Sequence, residues 1–249
     1  MVAKTGGETA LEYFRTDLKI DNKKEGVDFD PVTEGDRAAE RAMRALIEAN
    51  RPDHGILGEE YGLTNENANA RWILDPIDGT RAFMMGLPTW GTLVGLTENG
   101  RAIAGAMAQP ATRDLFSGDG KTAALTNAGE KRTISTSSVT TLSDAVMAST
   151  SPYLFSKADR ETFSELEAKV RLSRYGTDCS GYALLAAGFI DIVVESGLQT
   201  YDIAALIPIV EGAGGVVTTF DGGSAVIGGD IIAAATPELH DAVRAVMVG

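Results

Sequence analysis

The sequence predicts a mixed α/β fold, with a first half of the α+β type and a second half in which strands and helices alternate. Three observations support it: a strong helix pattern near the N-terminus, strand-rich segments over 54–116, and alternating patterns after residue 138. A chain of 249 residues can form one large domain or two moderate ones. We predict an N-terminal α+β half over 1–130 and a C-terminal α/β half over 131–249.

Two helices are predicted before the first strand. A short amphipathic helix over 7–16 would bury Ala10, Leu11 and Phe14. The polar segment "NKKEGVDFDPV", with its glycine and proline, predicts a loop. A longer helix then begins after Thr33, its predicted N-cap, and Asp36 can close a capping box with it. The predicted buried stripe of this helix is Ala38, Ala42, Met43, Leu46 and Ile47.

Strand patterns dominate the next segment. They are "HGILGEE", "RWILD", "TWGTLVGLTENG" and "RAIAGAMAQP", and the "ENG" turn predicts a hairpin between the last two. Residues 117–138 carry weak order signals and are the expected domain junction. Beyond them we predict strands at "DAVMAST", "VRLSRYG", "IDIVVES", "VVTTF" and "DIIAAA", and helices at 157–169, "SGYALLAAGF", "DIAALIPIVEGAGG" and from Pro237 onward.

The charge balance excludes several classes of partner. With 22 Lys and Arg against 35 Asp and Glu, the net charge is −13, so nucleic acid and anionic membrane surfaces would be repelled.

We expect a cytoplasmic protein, because the N-terminus lacks the apolar core of a signal peptide. Two histidines and one cysteine cannot build a typical zinc site. A bound metal would therefore be a hard cation held by carboxylates, such as Mg²⁺ or Mn²⁺.

Two acids follow a buried strand in "WILDPIDGTRAF". Pro76 stiffens the corner after Asp75, so the turn can direct the carboxylates of Asp75 and Asp78, with the Ile77 carbonyl between them, toward one point. Such an oxygen cluster suits Mg²⁺. The backbone amides of Gly79 and Thr80 open a predicted helix and can bind an anion. The alternative is an Asx turn followed by a helix cap.

Other polar residues admit both a functional and a structural interpretation. Glu59 and Glu60 follow a second apolar strand and could instead be a solvated loop pair. Asp202 lies in the first turn of a very apolar helix, where a capping acid is a sufficient explanation. Cys179 has no nearby basic partner and is predicted to be a small buried residue and not a nucleophile.

The motifs "GEE", "WILDPIDGTRAF" and "YDIAALIPIVEGAGG", in this order, resemble the inositol monophosphatase superfamily of Mg²⁺-dependent, Li⁺-sensitive phosphatases. The similarity extends over nearly the whole chain. "DPIDGTRAF", "LPTWGTLVGL" and "YDIAALIPIVEGAGG" are closest to the histidinol-phosphate phosphatase branch. The resemblance implies a layered αβαβα sandwich of the inositol monophosphatase and fructose-1,6-bisphosphatase type, with the site between the halves, and a homodimer.

The same resemblance implies roles for individual residues. Two or three Mg²⁺ ions, replaceable by Mn²⁺, would be held by Glu59, Asp75, Asp78, Asp202 and the Ile77 carbonyl, and Li⁺ would inhibit the enzyme. Thr80 and Asp36 would orient and deprotonate the attacking water, with Glu59 as a second acceptor. The phosphate would meet the Gly79 and Thr80 amides beside Asp78, while Asp178 and Glu195 would face the alcohol. Lys23 or Lys24 could approach a metal or the phosphate.

The predicted reaction is metal-assisted hydrolysis of a phosphate monoester by direct attack of water. Two carboxylates on the alcohol side suit a cationic amine, so the expected substrate is L-histidinol phosphate, in histidine biosynthesis. One alternative is an inositol-1-phosphate phosphatase, or another sugar or polyol phosphatase, on the same scaffold. Another is a non-catalytic protein that senses phosphate or metal as a partner subunit.

Overall fold

The computed structural model describes residues 1–17, 20–22 and 31–248. Its helices are α1 (Val2–Leu11), α2 (Glu34–Asn50), α3 (Thr80–Met84), α4 (Lys157–Glu167), α5 (Cys179–Ala186), α6 (Thr200–Ile203), α7 (Leu206–Gly212) and α8 (Pro237–Met247). Its strands are β1 (Ile20–Asn22), β2 (Pro31–Thr33), β3 (Gly55–Gly58), β4 (Gly62–Thr64), β5 (Ala70–Asp78), β6 (Gly91–Glu98), β7 (Arg101–Gln109), β8 (Asp114–Gly118), β9 (Ala123–Asn127), β10 (Glu130–Ile134), β11 (Val146–Ser149), β12 (Leu172–Tyr175), β13 (Ile192–Gln199), β14 (Val216–Thr219) and β15 (Gly228–Ala234).

The strands form two main sheets. The first has the order β10-β9-β8-β7-β6-β5-β3-β4, and its pairs are antiparallel except β3 with β5. The second has the order β12-β11-β13-β15-β14, and β11 runs parallel to both of its neighbours. Strands β1 and β2 form a separate antiparallel pair. The predicted hairpin between β6 and β7 is confirmed, with positive φ at Asn99 and Gly100 as a type I′ turn requires.

Helices cover and separate these sheets in five layers. Helices α1 and α2 pack together on one face of the first sheet. Helices α5 and α7 lie between the sheets, in a core shared by Leu93, Leu185, Ile209 and Val193. Helices α4 and α8 cover the far face of the second sheet. The predicted αβαβα sandwich is confirmed, because each sheet buries both faces and needs a helical layer on each side.

Residues 117–138 are more ordered than we predicted. They contain β9 and β10, which pair as a hairpin and extend the first sheet. That sheet therefore continues to residue 134, just past the predicted boundary at 130. The polar composition of this segment reflects the exposed edge strand β10, where only Ile134 is buried.

The first helix differs from its prediction over 7–16. Helix α1 begins at Val2 and ends at Leu11, which is 39% exposed, so only Ala10 of the predicted apolar side is fully buried. Its inner face consists of small residues, and a Cβ atom on Gly6 would lie 2.6 Å from Met43 Sδ. The glycines allow close packing on α2, a tertiary benefit that outweighs their poor helix propensity.

The second helix has the predicted cap but a different buried face. Thr33 and Asp36 form the predicted capping box. Ala38, Ala42 and Leu46 are only half-buried, whereas the fully buried positions are Gly35, Asp36, Ala39, Glu40, Met43, Arg44 and Ile47. The apolar pattern could not predict this buried face, because two of its residues are charged. They form an ion pair, in which Arg44 Nε lies 2.8 Å from Glu40 Oε1.

The single helix predicted from Asp202 is divided into α6 and α7, with Ala204 and Ala205 between them. The junction and the start of α7 lie on a row of glycines, Gly95, Gly105 and Gly118, which are neighbours across β6, β7 and β8. A Cβ atom on Gly105 would lie 1.8 Å from the Ala205 carbonyl oxygen. The helix backbone thus rests directly on the sheet backbone, which fixes the height of α6 above the first sheet.

Within the described ranges, every helix is too short or too polar to cross a lipid bilayer.

Candidate active site

The first two acids are placed by an irregularity at the end of β5. Asp75 pairs with Leu93 and Asp78 with Gly91, so the register with β6 shifts between the two acids. Asp75 Oδ1 accepts a hydrogen bond from the Ile77 amide at 3.1 Å. This contact is the Asx turn of the alternative interpretation, and it fixes the orientation of the Asp75 carboxylate.

The third acid comes from the layer between the sheets. Asp202 lies in α6, and its Oδ2 accepts from the Gln199 amide at 2.6 Å, which closes a capping box. Carboxylate oxygens of Asp75, Asp78 and Asp202 all lie within 4.8 Å of one another. The structure thus brings together three of the predicted metal ligands, from segments more than a hundred residues apart in sequence.

This cluster is electrostatically unfavourable without a cation. Burial raises the pKa of Asp75 well above its usual value, and the nearby charges of Glu59, Asp78 and Asp202 raise it further. Burial likewise raises the pKa of Asp78, with Asp178 and Asp202 adding to the effect. Buried carboxylates are stable when they are paired or bind a metal. The all-oxygen donor set fits a hard divalent cation and not a soft metal.

Three further predicted residues lie around the cluster. Glu59 follows β3, is half-buried, and raises the pKa of Asp75 second only to burial, although it is outside the 4.8 Å group. Asp36 is buried, and its Oδ2 accepts from the Thr33 amide and hydroxyl at 2.8 and 2.6 Å. Thr80 Oγ1 donates to the Ile77 carbonyl at 3.1 Å. The single hydroxyl proton of Thr80 is thus directed at Ile77, and its pairing with Asp36 stays a prediction.

Gly79 and Asp178 are in close contact. Gly79 has φ +82° and precedes the short helix α3, and a Cβ atom there would lie 3.2 Å from Asp178 Cβ. Asp178 itself has φ +45°, a strained conformation for a residue with a side chain, as is common at functional sites. Burial raises the pKa of Asp178 to about 6, while Arg81 and Thr150 act in the opposite direction.

A small cavity of about 20 Å³ continues from the acid cluster toward the predicted alcohol side. Its lining includes Asp78, Asp178, Tyr182, Glu195 and Asp202. Glu195 Oε1 accepts from the amide and hydroxyl of Thr150 at 2.7 and 2.9 Å. Within the described part of the chain, Glu195 Oε2 and the Tyr182 hydroxyl are buried and lack a hydrogen-bond partner. The cavity is large enough for one water-sized polar group to satisfy them.

Glu195 is expected to make the stability of the metal-free protein depend on pH. Burial raises the pKa of Glu195 from 4.5 to about 8. Between these values the unfolded chain is ionised at Glu195 and the folded chain is protonated, so this residue lowers stability as pH rises through the window. We expect Glu195→Gln to resemble the original protein near pH 4.5 and to exceed its unfolding free energy by roughly 2–4 kcal/mol at pH 8.5.

Urea unfolding of both proteins with EDTA at the two pH values measures this difference. A constant difference between pH 4.5 and 8.5 would contradict the expected titration of Glu195.

Cys179 has the structural role predicted for it. It is buried, and burial raises the pKa of its thiol well above the usual value, which disfavours a nucleophilic thiolate. Its amide donates to Asp78 Oδ2 at 2.7 Å. The N-terminus of α5 therefore helps to orient one of the clustered acids.

Some residues of the site were missed in the sequence. Thr150 holds Glu195, Arg81 acts on Asp178, and the Tyr182 hydroxyl faces the cavity. Thr150 carried a usable signal, because a small polar residue directly after a buried strand lies at a sheet edge where ligands bind. The predicted approach of Lys23 or Lys24 lies outside the described residues.

Comparison with known proteins identifies the family of this chain. The profile of the inositol monophosphatase family matches residues 1–248. The chain belongs to the inositol monophosphatase family. Within that family, a solved inositol monophosphatase from Zymomonas mobilis superposes with a TM-score of 0.87 at 39% identity, covering 100% of this chain and 95% of that one.

Several sequence relatives carry phosphatase names, among them the following two. The chloroplastic bifunctional phosphatase IMPL2 of Arabidopsis thaliana is 44% identical over 89% of this chain, which spans 63% of that relative's length. The histidinol-phosphatase of Mycobacterium tuberculosis is 37% identical over 94% of this chain and 90% of its own length. The chain is therefore a phosphoric monoester hydrolase of this metal-dependent family, as the motifs indicated.

Proposed function

We propose that this member of the inositol monophosphatase family hydrolyses L-histidinol phosphate to L-histidinol and phosphate, with Mg²⁺ as its metal. Two or three ions, which Mn²⁺ could replace, would be held by Glu59, Asp75, Asp78, Asp202 and the Ile77 carbonyl. When bound, the ions would lower the pKa of the attacking water and stabilise charge on the entering and leaving oxygens. They would also reverse the local sign of charge, so that an acidic protein can accept a phosphate dianion.

The residues of the chain would bind and orient the reactants. The amides of Gly79 and Thr80 would donate to the phosphate at the start of α3. Thr80 and Asp36 would position the attacking water and accept its proton, with Glu59 as a second acceptor. The Thr80 hydroxyl would first have to turn from the Ile77 carbonyl, which it contacts at 3.1 Å.

The observation that carries the substrate assignment is the cavity that links the acid cluster to Asp178 and Glu195. Its two carboxylates on the alcohol side can bind an ammonium group, which histidinol offers and inositol does not. The volume of about 20 Å³ and the unpartnered Glu195 Oε2 fit one water-sized donor. An ammonium there would favour the ionised form of both carboxyls, lowering pKa values that burial now raises.

A second candidate is an inositol-1-phosphatase or another sugar or polyol phosphatase. The 39% identity to the Zymomonas mobilis inositol monophosphatase favours it. In that case the Glu195 carboxyl would be protonated and would exchange hydrogen bonds with a substrate hydroxyl.

Steady-state kinetics on a panel of esters separates these candidates. With Mg²⁺ present, we expect kcat/KM to be highest for histidinol phosphate among histidinol phosphate, inositol 1-phosphate, fructose 1,6-bisphosphate and adenosine 3′,5′-bisphosphate. A preference for inositol 1-phosphate would reject the histidinol assignment but keep the phosphatase. Metal binding without release of phosphate from any ester would favour a sensing protein.

The variant Glu195→Gln tests the cation site directly. We expect KM for histidinol phosphate to rise about 10-fold or more, because a hydrogen bond between charged groups contributes about 1.5–3 kcal/mol. For inositol 1-phosphate we expect KM to change by about 2-fold or less, because inositol has no ammonium group that could pair with Glu195. Glu211→Gln is the control, since burial also raises the pKa of Glu211 but this residue lies outside the site. Equal effects on both esters would reject the ammonium site.

A further inference from the structure

A three-residue turn, Glu59 to Tyr61, connects β3 to β4 beside the acid cluster. The side chain of Glu40, in α2, lies under this turn. Its Oε2 accepts from the Glu60 amide at 2.7 Å, and its Oε1 accepts from the Tyr61 amide at 3.2 Å. One carboxylate thus satisfies two consecutive amides, and these amides immediately follow Glu59.

Arg44 fixes this carboxylate from one helical turn away. Its Nε donates to Glu40 Oε1 at 2.8 Å, and its other nitrogens reach the Gly62 carbonyl and, at 3.4 Å, the Thr64 hydroxyl. The Glu40 side chain is 0% exposed and that of Arg44 is 10% exposed. The pair therefore connects α2 both to the turn and to β4.

The end of β3 is shaped to admit the Glu40 carboxylate. A Cβ atom at Gly58 would lie 1.9 Å from Glu40 Oε1 and 2.3 Å from its carboxyl carbon. Any other residue at position 58 would displace the carboxylate from the turn. The absence of a side chain at Gly58 is thus part of the same arrangement.

Stability alone is a weak reason for this arrangement. A buried ion pair recovers little more than its desolvation cost and often contributes no net stability compared with apolar residues. The pair instead determines the path of the backbone at the turn. It fixes the backbone that follows Glu59, whose own amide donates to the Leu74 carbonyl at 3.2 Å, next to Asp75.

We propose that Glu40 is a positioning residue for the metal site: held by Arg44, it fixes the turn that directs Glu59 toward Asp75. The inference rests on the proposed function, in which Glu59 is a metal ligand. Glu40 touches neither substrate nor metal and acts through the turn. Loss of a partner that orients a metal ligand typically lowers metal affinity by 10–100-fold.

The test uses Glu40→Gln and measures Mn²⁺ binding to the full chain by titration calorimetry, without substrate. We expect the Mn²⁺ dissociation constant to rise about 10–100-fold. The Mg²⁺ concentration for half-maximal activity should rise in parallel, whereas KM for the ester at saturating Mg²⁺ should change less than about 3-fold. Glu34→Gln is the matched control, because Glu34 is on the same helix and pairs with Arg41 at 2.6 Å, but both are about half exposed. It should leave all three quantities unchanged.

A purely structural role would give a different result. In that case Glu40→Gln would lower the melting temperature but leave the Mn²⁺ dissociation constant of the folded protein unchanged, which would overturn the inference. If Glu40→Gln does not fold, Arg44→Lys decides, since it keeps a cation near Glu40 but cannot reproduce the guanidinium contacts to Gly62 and Thr64. We expect a several-fold weaker Mn²⁺ affinity, and an unchanged affinity would overturn the inference.

Mn²⁺ binding by the original protein distinguishes a wrong metal site from a wrong role of Glu40. If the original protein itself binds no Mn²⁺, the metal site is wrong, whatever the variants do. If the original protein binds Mn²⁺ and Glu40→Gln binds it equally well, only the role of Glu40 is wrong.

Discussion

Replacing Asp78 by Asn is expected to lower Mg²⁺-dependent phosphatase turnover about 1,000-fold. Asp78 is one of three carboxylates within 4.8 Å, and its loss removes one negative charge from the proposed metal site. A metal ion contributes several kcal/mol of transition-state stabilisation, and each 1.36 kcal/mol corresponds to a factor of ten in rate. Release of phosphate from histidinol phosphate and from inositol 1-phosphate measures the loss, which should affect both esters.

The same substitution should not harm the metal-free fold. The Asn side chain keeps a carbonyl oxygen that can accept from the Cys179 amide, now 2.7 Å from Asp78 Oδ2. Removing a like charge beside Asp202 should stabilise the metal-free protein by about 1 kcal/mol. The increase in melting temperature on adding Mg²⁺ should largely disappear. Asp241→Asn, at an exposed position, is the control. Full activity in Asp78→Asn would reject the metal site.

Gly105→Ala is expected to lower the free energy of unfolding by about 3 kcal/mol and to impair activity with it. The added methyl group would lie 1.8 Å from the Ala205 carbonyl oxygen, so the junction of α6 and α7 must move away from β7. Asp202 lies three residues before Ala205, and its carboxylate would move away from Asp75. Urea unfolding and the Mg²⁺ concentration for half-maximal activity measure the two effects.

Gly129→Ala provides a control for Gly105→Ala. Gly129 has φ +88°, and a Cβ atom there would meet nothing within 4 Å. This substitution should cost about 1 kcal/mol through backbone strain alone and leave the Mg²⁺ dependence unchanged. If Gly105→Ala behaves like Gly129→Ala, the close contact between helix and sheet does not determine the position of Asp202.

Local patterns predicted single elements well where packing follows residue type, whereas the layered arrangement was implied by the family resemblance. The hairpin at Asn99 and Gly100 and the capping box of α2 form as predicted, because the signals lie within a few residues. Helix α1 and strands β9 and β10 were predicted less well. In α1 two buried glycines serve contacts with other elements, and β10 is a polar edge strand without an apolar pattern. Only tertiary contacts could reveal either feature.

The clustered acids of the site could be predicted from the sequence, but the residues that hold them in place could not. Asp75 and Asp78 could be paired from their spacing, and Asp202 joins them in the structure. The partners that hold the acids in place could not be predicted, because Thr150 meets Glu195 across 45 positions and Glu40 meets Glu60 across 20. A buried ion pair such as Glu40 and Arg44 also appears in sequence as two exposed charges on a helix.

The long sequence separation between Asp202 and the other two clustered acids has a kinetic consequence. Asp75 and Asp78 are synthesised early, but the α5 amide that orients Asp78 comes 101 positions later, and Asp202 later still. Such long-range contacts form slowly, because the intervening chain must first be closed into a loop. A growing or partly folded molecule therefore has two acids in open solvent and no complete cation site. Strong retention of the ion should appear only after the segment that carries Asp202 has folded onto Asp75 and Asp78.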